Sequence, residues 1–465
     1  MSLPRHAVLI DFGSTFTKLV VAETGSGRLL LSTRVASTVK SDATIGLEQC
    51  FAAARELLGE SAFADAAKLA SSSAAGGLRM AVVGLSQTLS AKAGRQAACG
   101  AGAKILRTCA GALTAEEVAA LSALPLELLL FTGGYEGGGT ATLLHNARLL
   151  AASELRCPLI YAGNSAAAAE VRAILTLGGK ECFLAENIIP RVGALAAESA
   201  EAIIRAIFME RIVAMKGLSA VLPRFDQPLL PTPAVVLAAG ELLACGCDGA
   251  EGVGSALLFD VGGATTDVYS FCDPATHGGA KQIGAADAFA KRTVEGDLGL
   301  RESSNSLLCE AGVDWLVKQS GLSAQIIEAG VASRVANNHC IATDESARAL
   351  DTALTAAAVR LAARRHCGRL EPVLAAGVRT VQLGKDLSAV PTVIGTGGPL
   401  ALNDDPRRLL SFALRDSAAE EGVLLPARAR FLLDREYVFF AAGLLRACDP
   451  AGALRLMRHS LVKLE

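Results

Sequence analysis

Two stretches of the chain place a carboxylate, glycine and hydroxyl side chains on one tight turn between apolar segments. The first is DFGSTFTK, residues 11–18, and the second is DVGGATTD, residues 260–267. Glycine permits close backbone approach, so clustered N–H groups at such turns can cradle a polyphosphate. A neighbouring carboxylate suits Mg²⁺, which is usually held through bound waters. Two such loops facing each other would form a clamp for a magnesium–nucleotide complex.

Either loop alone has an ordinary structural explanation, because Asp, Gly, Ser and Thr are common turn formers. The two loops nevertheless repeat the same order of residue types. Asp11 and Asp260 are 249 positions apart (260 − 11), the size of one domain plus an insert. This spacing suggests an ancient duplication.

The elements that must position these loops can be predicted from hydropathy. Residues 7–39 predict two or three strands, and an apolar helix at 233–245 directly precedes the second loop. Apolar strands alternate with alanine-rich helices over residues 79–189, which is typical of a parallel α/β lobe inserted into a larger domain. Near the C-terminus, a strand at 391–402 runs into a Gly-Gly turn, and a helix with a small-residue face follows at 436–447.

Composition limits the class of protein. The chain has 465 residues, of which 51% are hydrophobic and 19% charged, so two or three well-packed domains are expected. The net charge of −2 gives no general attraction to nucleic acid or to an acidic membrane. Mean hydropathy is +0.40, yet no apolar run reaches the roughly 18 residues of a membrane span. No signal-peptide pattern precedes the first strand, and we expect a cytoplasmic protein.

The order of elements resembles the superfamily of actin, sugar kinases and heat-shock chaperones. Its members have a first phosphate loop, a connecting helix, a second phosphate loop, an adenosine-binding Gly-Gly turn and a second connecting helix. The corresponding stretches here are 11–18, 233–245, 260–267, 395–399 and 436–447. The resemblance implies an α/β fold with two ribonuclease H-like, actin-like ATPase domains, a nucleotide cleft between them and the inserted α/β lobe.

The same resemblance implies a division of the chain. Residues 1–250 would form the first ATPase domain with its insert at about 79–189, and residues 251–434 would form the second. Residues 435–465 would carry the connecting helix and a tail that returns to the first domain. Small side chains at Ala441, Ala442 and Gly443 would let the two connecting helices cross closely and act as a hinge.

The resemblance also implies ATP and Mg²⁺ as ligands, with the metal held through water by Asp11 and Asp260. Relatives often place Glu or Gln at the start of the first connecting helix to orient the attacking water. Here Thr232 is the nearest polar residue, and a hydroxyl is a weaker base than a carboxylate, so we expect slow Mg-dependent ATP hydrolysis. The catalytic set is then Asp11, Asp260 and Thr232. The implied ATP-binding residues are Gly13, Ser14, Thr15, Thr17, Lys18, Gly262, Gly263, Ala264, Thr265, Thr266, Asp267, Gly395, Gly397, Gly398 and Pro399.

Stretches outside the loops look like the glutamate mutase accessory family (MutL/GlmL type). They include LLFTGGYEGG, NIIPRVGALAAE, TVEGDLGLR, VIGTGGPL and REYVFFAAGLL, and TVEGDLGLR is far more specific than either phosphate loop. The resemblance implies an ATP-dependent reactivating chaperone whose partner is an adenosylcobalamin-dependent mutase, such as glutamate mutase or an aminomutase. Glu136 stands where the family usually has Asp. We expect partner contacts in the inserted lobe, and the oligomeric state stays open.

Other functions remain as alternatives. A small-molecule kinase of the same superfamily is the main one, and a filament protein like the bacterial actins is another. An activator with a bridging iron–sulfur cluster is disfavoured, because the 12 cysteines include no ordered pair near the second loop. TGGYEGGGTATLLHN would serve either as a further phosphate site or as a strand-to-helix turn. Lys18 would either neutralise phosphate charge or extend to solvent at the strand edge.

Overall fold

The protein was described from a computed structural model, which covers residues 3–13, 15–39, 41–73, 78–101, 103–191, 195–213, 218–283, 286–338, 340–375, 378–416 and 420–465. The chain divides into two compact units. The larger unit comprises Met1–Ala74, Ala214–Gln282 and Asp287–Glu465, and the smaller unit comprises Ala75–Val213 and Ile283–Ala286.

Strands and helices are interspersed along the described part of the chain. The strands β1 to β21 are His6–Phe12, Phe16–Glu23, Arg28–Ala36, Ala67–Ser72, Arg79–Gly84, Lys104–Ala110, Leu128–Phe131, Leu159–Tyr161, Cys182–Leu184, Leu230–Pro231, Gly246–Cys247, Ala250–Glu251, Ala256–Val261, Thr266–Phe271, Lys281–Ile283, Ala290–Glu295, Arg369–Ala375, Val378–Leu383, Thr392–Thr396, Arg430–Asp434 and Leu461–Leu464. The helices α1 to α17 are Ala43–Leu58, Glu60–Asp65, Ser90–Gly100, Ala115–Ser122, Ala141–Ala151, Ser165–Leu177, Glu198–Val213, Leu218–Val221, Thr232–Cys245, Ser304–Ala311, Val313–Ser320, Ala324–Ala336, Glu345–His366, Gly398–Ala401, Pro406–Ser411, Phe439–Leu445 and Pro450–Ser460. A short 3-10 helix spans Leu222–Arg224.

The first sheet of the larger unit has the strand order β10-β4-β1-β2-β3. Strands β1, β2 and β3 form an antiparallel meander, while β4 and then β10 lie parallel on the other side of β1. Strand β1 reads HAVLIDF and is buried along nearly its whole length. Such a continuous apolar run is typical of a central strand covered on both faces.

The second sheet repeats this connectivity, with the order β16-β14-β13-β19-β20-β21. Strands β13, β14 and β16 form the meander, and β19 and β20 follow parallel to β13 on its other side. Strand β21 adds one antiparallel strand at the edge. A meander flanked by two later parallel strands is the arrangement of the ribonuclease H-like fold. Its occurrence twice in one chain confirms the predicted fold class.

Helices α9 and α16 share one apolar core with strands β1 and β13. They cross at Gly443, where an added Cβ atom would overlap the main-chain oxygen of Val235. Only a residue without a side chain allows this approach, because the backbone of one helix touches the other directly. The predicted close crossing of the two connecting helices is therefore confirmed.

The smaller unit contains a five-stranded parallel sheet with the order β6-β5-β7-β8-β9. Helices α3 to α6 connect successive strands, as parallel pairing requires. Its core is built from the apolar faces of β5, β7 and β8 and of helices α5 and α6. In neither unit do the described residues include a helix of the length and apolar character needed to cross a bilayer.

Candidate functional site

The two predicted phosphate loops are hairpin turns with matching registers. In the hairpin of β1 and β2, Asp11 lies opposite Lys18. In the hairpin of β13 and β14, Asp260 lies opposite Asp267. Each hairpin therefore places one carboxylate at the end of its first strand and a second charged group across from it. The partner is a cation in the first hairpin and an anion in the second.

Glycine closes both turns in the same way. The N–H of Gly13 donates to the carbonyl of Phe16 at 3.0 Å, and the N–H of Gly262 donates to the carbonyl of Thr265 at 2.9 Å. These two amides are thus engaged within their own turns, and any phosphate donors must come from the residues that follow them. Ser14, predicted as one such residue, lies outside the described residues.

Asp11 is fully buried and is held by three side chains. Its Oδ2 atom accepts a hydrogen bond from the Lys18 ammonium at 2.9 Å, and its Oδ1 atom accepts one from the Thr232 hydroxyl at 2.5 Å. The Ser71 hydroxyl, at the end of β4, lies 3.4 Å from the same Oδ1 atom and 3.1 Å from the Thr232 hydroxyl. The structure therefore brings together Asp11 and Thr232, which are 221 positions apart and were both predicted as catalytic.

Lys18 does not extend to solvent at the strand edge. Its ammonium lies 4.2 Å from the centroid of the Tyr437 ring, within the range of a cation–π interaction. Burial by itself lowers the pKa of Lys18. The carboxylate of Asp11, followed by Tyr437 and Asp260, raises it by more, so the net pKa is above its usual value. Lys18 therefore stays positively charged, and this charge interacts electrostatically with the carboxylates of both hairpins.

The negative charge of Asp260 is disfavoured by its surroundings in the folded chain. It is half-buried, and its pKa is raised from 3.8 to about 7. Burial is the largest cause, followed by the charge of Asp267, with smaller contributions from Asp11 and Asp434, while the positive charge of Lys18 acts in the opposite direction. The Tyr437 hydroxyl lies 3.5 Å from Asp260 Oδ1, at the limit of a hydrogen bond. A strongly perturbed carboxylate in a pocket is a mark of functional sites.

Asp267 was predicted to bind ATP, but both of its carboxylate oxygens bind side chains of the protein. The guanidinium of Arg292 lies 2.6 Å from its Oδ1 atom, and the hydroxyl of Thr265 donates to its Oδ2 atom at 3.1 Å. Arg292 is itself buried. We infer that Asp267 anchors the second turn through this ion pair rather than contacting a ligand directly.

The Gly-Gly turn after β19 lies against the second phosphate loop. Gly397 has φ +95°, in the region that favours glycine, and an added Cβ atom would lie 2.9 Å from Asp260 Oδ1 and would overlap the carbonyl of Val261. Gly398, the next residue, has no atom within 4 Å of such a Cβ. The turn thus has one glycine packed against Asp260 and one glycine with open space beside it, and Pro399, which follows them, is half-buried.

Lys18, Thr232 and Asp260 line one small pocket. Its lining combines polar groups from both hairpins with apolar side chains from the two connecting helices. The lining residues are Lys18, Thr232, Val236, Asp260, Thr396, Tyr437, Phe439 and Phe440.

Two of the predicted hydroxyl residues point elsewhere. Thr17 directly precedes Lys18 on β2, so its side chain lies on the opposite face of the sheet, where its hydroxyl approaches Gly46 of α1. The hydroxyl of Thr266 donates to the carbonyl of Leu298 at 2.7 Å, behind the second loop. The period of two along a strand explains both cases, since neighbouring residues cannot share one face.

The carboxylates suit a magnesium ion held through water. Burial, and after it the negative charge of Asp267, raises the pKa of Asp260, and a bound cation would lower it again. Within the described part of the chain, no three His, Cys, Asp or Glu residues are grouped so that they could ligate a metal ion directly. Mg²⁺ retains much of its hydration in sites with few protein ligands, so Asp11 and Asp260 would hold it indirectly.

Several site residues escaped the sequence analysis. Tyr437 and Thr396 line the pocket, and Asp434, at the end of β20, is fully buried next to it. Asp434 accepts hydrogen bonds from the Thr396 hydroxyl at 2.9 Å and from the N–H of Val438 at 3.1 Å, which ties β19 to the start of α16. The available signal was position, because these residues follow the ends of parallel strands, where α/β sites form.

In the smaller unit, the structure gives Glu136 a clear role. Its carboxylate accepts hydrogen bonds from the side-chain amide of Asn187 at 2.6 Å and from the N–H and hydroxyl of Ser165, the first residue of α6. Gly133 and Gly134 have φ values of 138° and 76°. Glu136 therefore binds at the N-terminus of α6, whereas TGGYEGGG leads into α5, and its role as a phosphate site or a turn stays a prediction.

Two comparisons with known proteins match almost the full length of the chain. A family model described as MutL protein matches residues 7–461. The curated protein named Protein MutL from Clostridium tetanomorphum is 37% identical over 458 residues, which cover 98% of this chain and 99% of that protein.

Similarity to solved structures is much weaker. The xylulose kinase from Bifidobacterium adolescentis is 13% identical with a TM-score of 0.32, covering 97% of this chain and 93% of its own. The ethanolamine utilization protein EutJ from Carboxydothermus hydrogenoformans is 12% identical with a TM-score of 0.26, covering 97% and 90%. Scores this low carry no weight for this chain, whose fold rests on the strand order of its own sheets.

Proposed function

The chain belongs to the MutL protein family, and on that premise we propose that it is an ATP-dependent accessory protein for an adenosylcobalamin-dependent amino-acid mutase. The client would be glutamate mutase or an aminomutase, and the accessory protein would release damaged cobalamin from it. The observation that carries the nucleotide part of the proposal is the meeting of the two aspartate hairpins at one pocket, where Lys18, paired with Asp11, and Asp260 both form part of the lining.

The residues of the pocket have distinct roles in this proposal. Mg²⁺ bound with ATP would supply positive charge against the phosphates, and Asp11 and Asp260 would orient its water ligands. Lys18 would share phosphate charge with the metal. Thr232, already hydrogen-bonded to Asp11, would orient the attacking water, and a weak base at this point gives slow hydrolysis.

Nucleotide occupancy would reach the client through the connecting helices. Helix α9 begins at Thr232, which contacts Asp11, and α16 begins two residues after Tyr437, which contacts Lys18 and approaches Asp260. The two helices cross in backbone contact at Gly443. A change at the phosphates would therefore act on both helix starts, and differential affinity of the two states for the mutase would drive cobalamin release.

A reactivation assay tests the proposal. An adenosylcobalamin-dependent aminomutase is inactivated with bound cyanocobalamin, incubated with the full chain, Mg²⁺ and ATP, and then given fresh adenosylcobalamin. We expect recovery of mutase activity with ATP and none with Asp11→Asn as the matched control protein. Efficient phosphorylation of a small molecule, with no recovery of any amino-acid mutase, would replace this function by that of a kinase.

We also propose that the smaller unit carries the contacts with the mutase. It has its own sheet and its own apolar core, so the nucleotide pocket does not depend on its side chains. Replacing residues 79–189 by a short flexible linker should abolish co-elution with the mutase and leave MgATP affinity within about threefold of the wild type. Retained mutase binding would place the contacts in the larger unit instead.

A further inference from the structure

The motif TVEGDLGLR at residues 293–301, which is more specific than either phosphate loop, packs against the second phosphate loop. The N–H groups of Leu300 and Arg301 donate to the carbonyls of Gly262 and Gly263 at 3.1 and 2.7 Å, and the N–H of Glu302 also reaches the Gly263 carbonyl, at 3.0 Å. The loop is therefore held from behind by three backbone hydrogen bonds.

Side chains reinforce the same contact. The Ser303 hydroxyl lies within hydrogen-bond distance of the carbonyls of Ala264, at 2.9 Å, and Gly296, at 2.7 Å. A Cβ atom on Gly299 would overlap the backbone of Ala264, so the motif and the loop are in main-chain contact. Gly299 of the motif is thus required for this close contact with the loop, and Ser303, two residues beyond the motif, adds hydrogen bonds to it.

Arg301 connects this backing segment to helix α13. Its guanidinium makes a bidentate pair with Asp351, with distances of 2.9 and 2.8 Å, and its aliphatic stem packs 3.4 Å from the Cβ position of Gly263. Arg334, from α12, binds the same carboxylate at 2.8 Å, so Asp351 receives two guanidinium groups. Bidentate pairs fix orientation as well as distance.

We propose that the Arg301–Asp351 pair is a positioning device that sets the second phosphate loop for the β- and γ-phosphates of the nucleotide. The proposal rests on the function proposed above. Arg301 acts through the loop backbone and not on the ligand. Loss of the pair should therefore weaken the binding of phosphates and leave the binding of the nucleoside unchanged.

The test compares the affinities of ATP, ADP and adenosine, measured by titration calorimetry with Mg²⁺ on the full chain. Arg301→Met keeps the stem on Gly263 and removes the guanidinium, and Asp351→Asn removes the carboxylate from the other side. Both variants should weaken ATP and ADP binding about tenfold, the scale of a lost charge-assisted hydrogen bond, and should change adenosine binding by less than about twofold. The double variant should lose little more than either single one.

The matched control is Arg365→Met. It removes ion pairs with Glu295 and Asp297 at the other end of the same segment, without touching the phosphate loop. It should lower thermal stability and leave ATP affinity unchanged. If Arg301→Met does not fold, Arg301→Lys makes the same comparison, since a lysine cannot reproduce the bidentate pair.

The outcomes separate the two proposals. Equal losses of ATP and adenosine affinity, or ATP affinity within about twofold of the wild type in every variant, would overturn the positioning role alone. A wild-type protein that binds no MgATP would overturn the nucleotide site, and the positioning role with it.

Discussion

The carboxylate of Asp260 gives the sharpest test of the candidate site, because its negative charge is disfavoured in the folded chain. Burial and the nearby Asp267 raise its pKa from 3.8 to about 7. Between about pH 4 and pH 7 the folded state thus binds more protons than the unfolded state, so stability falls as pH rises through this window. Above pH 7 the loss is complete.

The magnitude follows from the two pKa values. Their difference corresponds to about 4 kcal/mol at 1.36 kcal/mol for each tenfold change, and partial exposure of the carboxylate reduces this to about 2–3 kcal/mol. Asp260→Asn keeps the shape of the side chain and removes the charge. The variant should match the wild type near pH 4 and exceed its free energy of unfolding by about 2–3 kcal/mol at pH 8.

The assay is urea unfolding followed by circular dichroism from pH 4 to pH 8, without Mg²⁺ or nucleotide. Asp248→Asn, at an exposed position in the turn between β11 and β12, is the matched control for removing a carboxylate at the surface. Adding Mg²⁺ and ATP should stabilise the wild type but not Asp260→Asn. The difference between their free energies of unfolding at pH 8 should then become smaller. A variant that is less stable than the wild type at pH 8 would refute the electrostatic description of the pocket.

Three further predictions concern the surroundings of Asp260. Asp11→Asn should lower the free energy of unfolding by about 3 kcal/mol at pH 7, because Lys18 loses a buried partner. An unchanged urea midpoint would show that the Lys18–Asp11 ion pair does not stabilise the fold. Gly443→Ala should lower the thermal midpoint by several degrees, since its methyl group meets the backbone of α9, and should slow ATP hydrolysis by restricting the hinge; a variant as active as the wild type would rule out the hinge. Gly397→Ala should be destabilised by about 1–3 kcal/mol, whereas Gly398→Ala should keep its stability and lose ATP affinity in calorimetry; equal effects of the two would argue against the open glycine as the nucleoside contact.

Much of the fold could be predicted because its signals are local. An apolar run that ends in Asp and Gly predicts a strand and its turn, and the two alanines and one glycine of residues 441–443 predict a close helix crossing, which Gly443 provides. The period of two along β2 should also have separated Thr17 from Lys18, but composition alone grouped them as one set of phosphate ligands.

The partners of each charge depended on chain packing. Asp267 has the same place in its hairpin as Lys18, yet its role as an anchor depends on Arg292 from the neighbouring strand β16. TVEGDLGLR was recognised as specific, but its position behind Gly262–Ala264 is set by the return of the chain after β16. Sequence patterns report on neighbours within a few residues, and these contacts join residues tens to hundreds of positions apart.

The sequence by itself determined the two aspartate hairpins, the apolar helix before the second hairpin and the glycine turn after β19, since each depends on residues that are close together in the chain. The tertiary structure decided which groups meet at the pocket. There the hydroxyl of Thr232 donates to Asp11, and Tyr437 contacts Lys18 with its ring and approaches Asp260 with its hydroxyl. The physical reason is that the pKa of Asp260 and the charge state of Lys18 depend on distance through space and on burial, and both are fixed only when the two sheets and their connecting helices have packed.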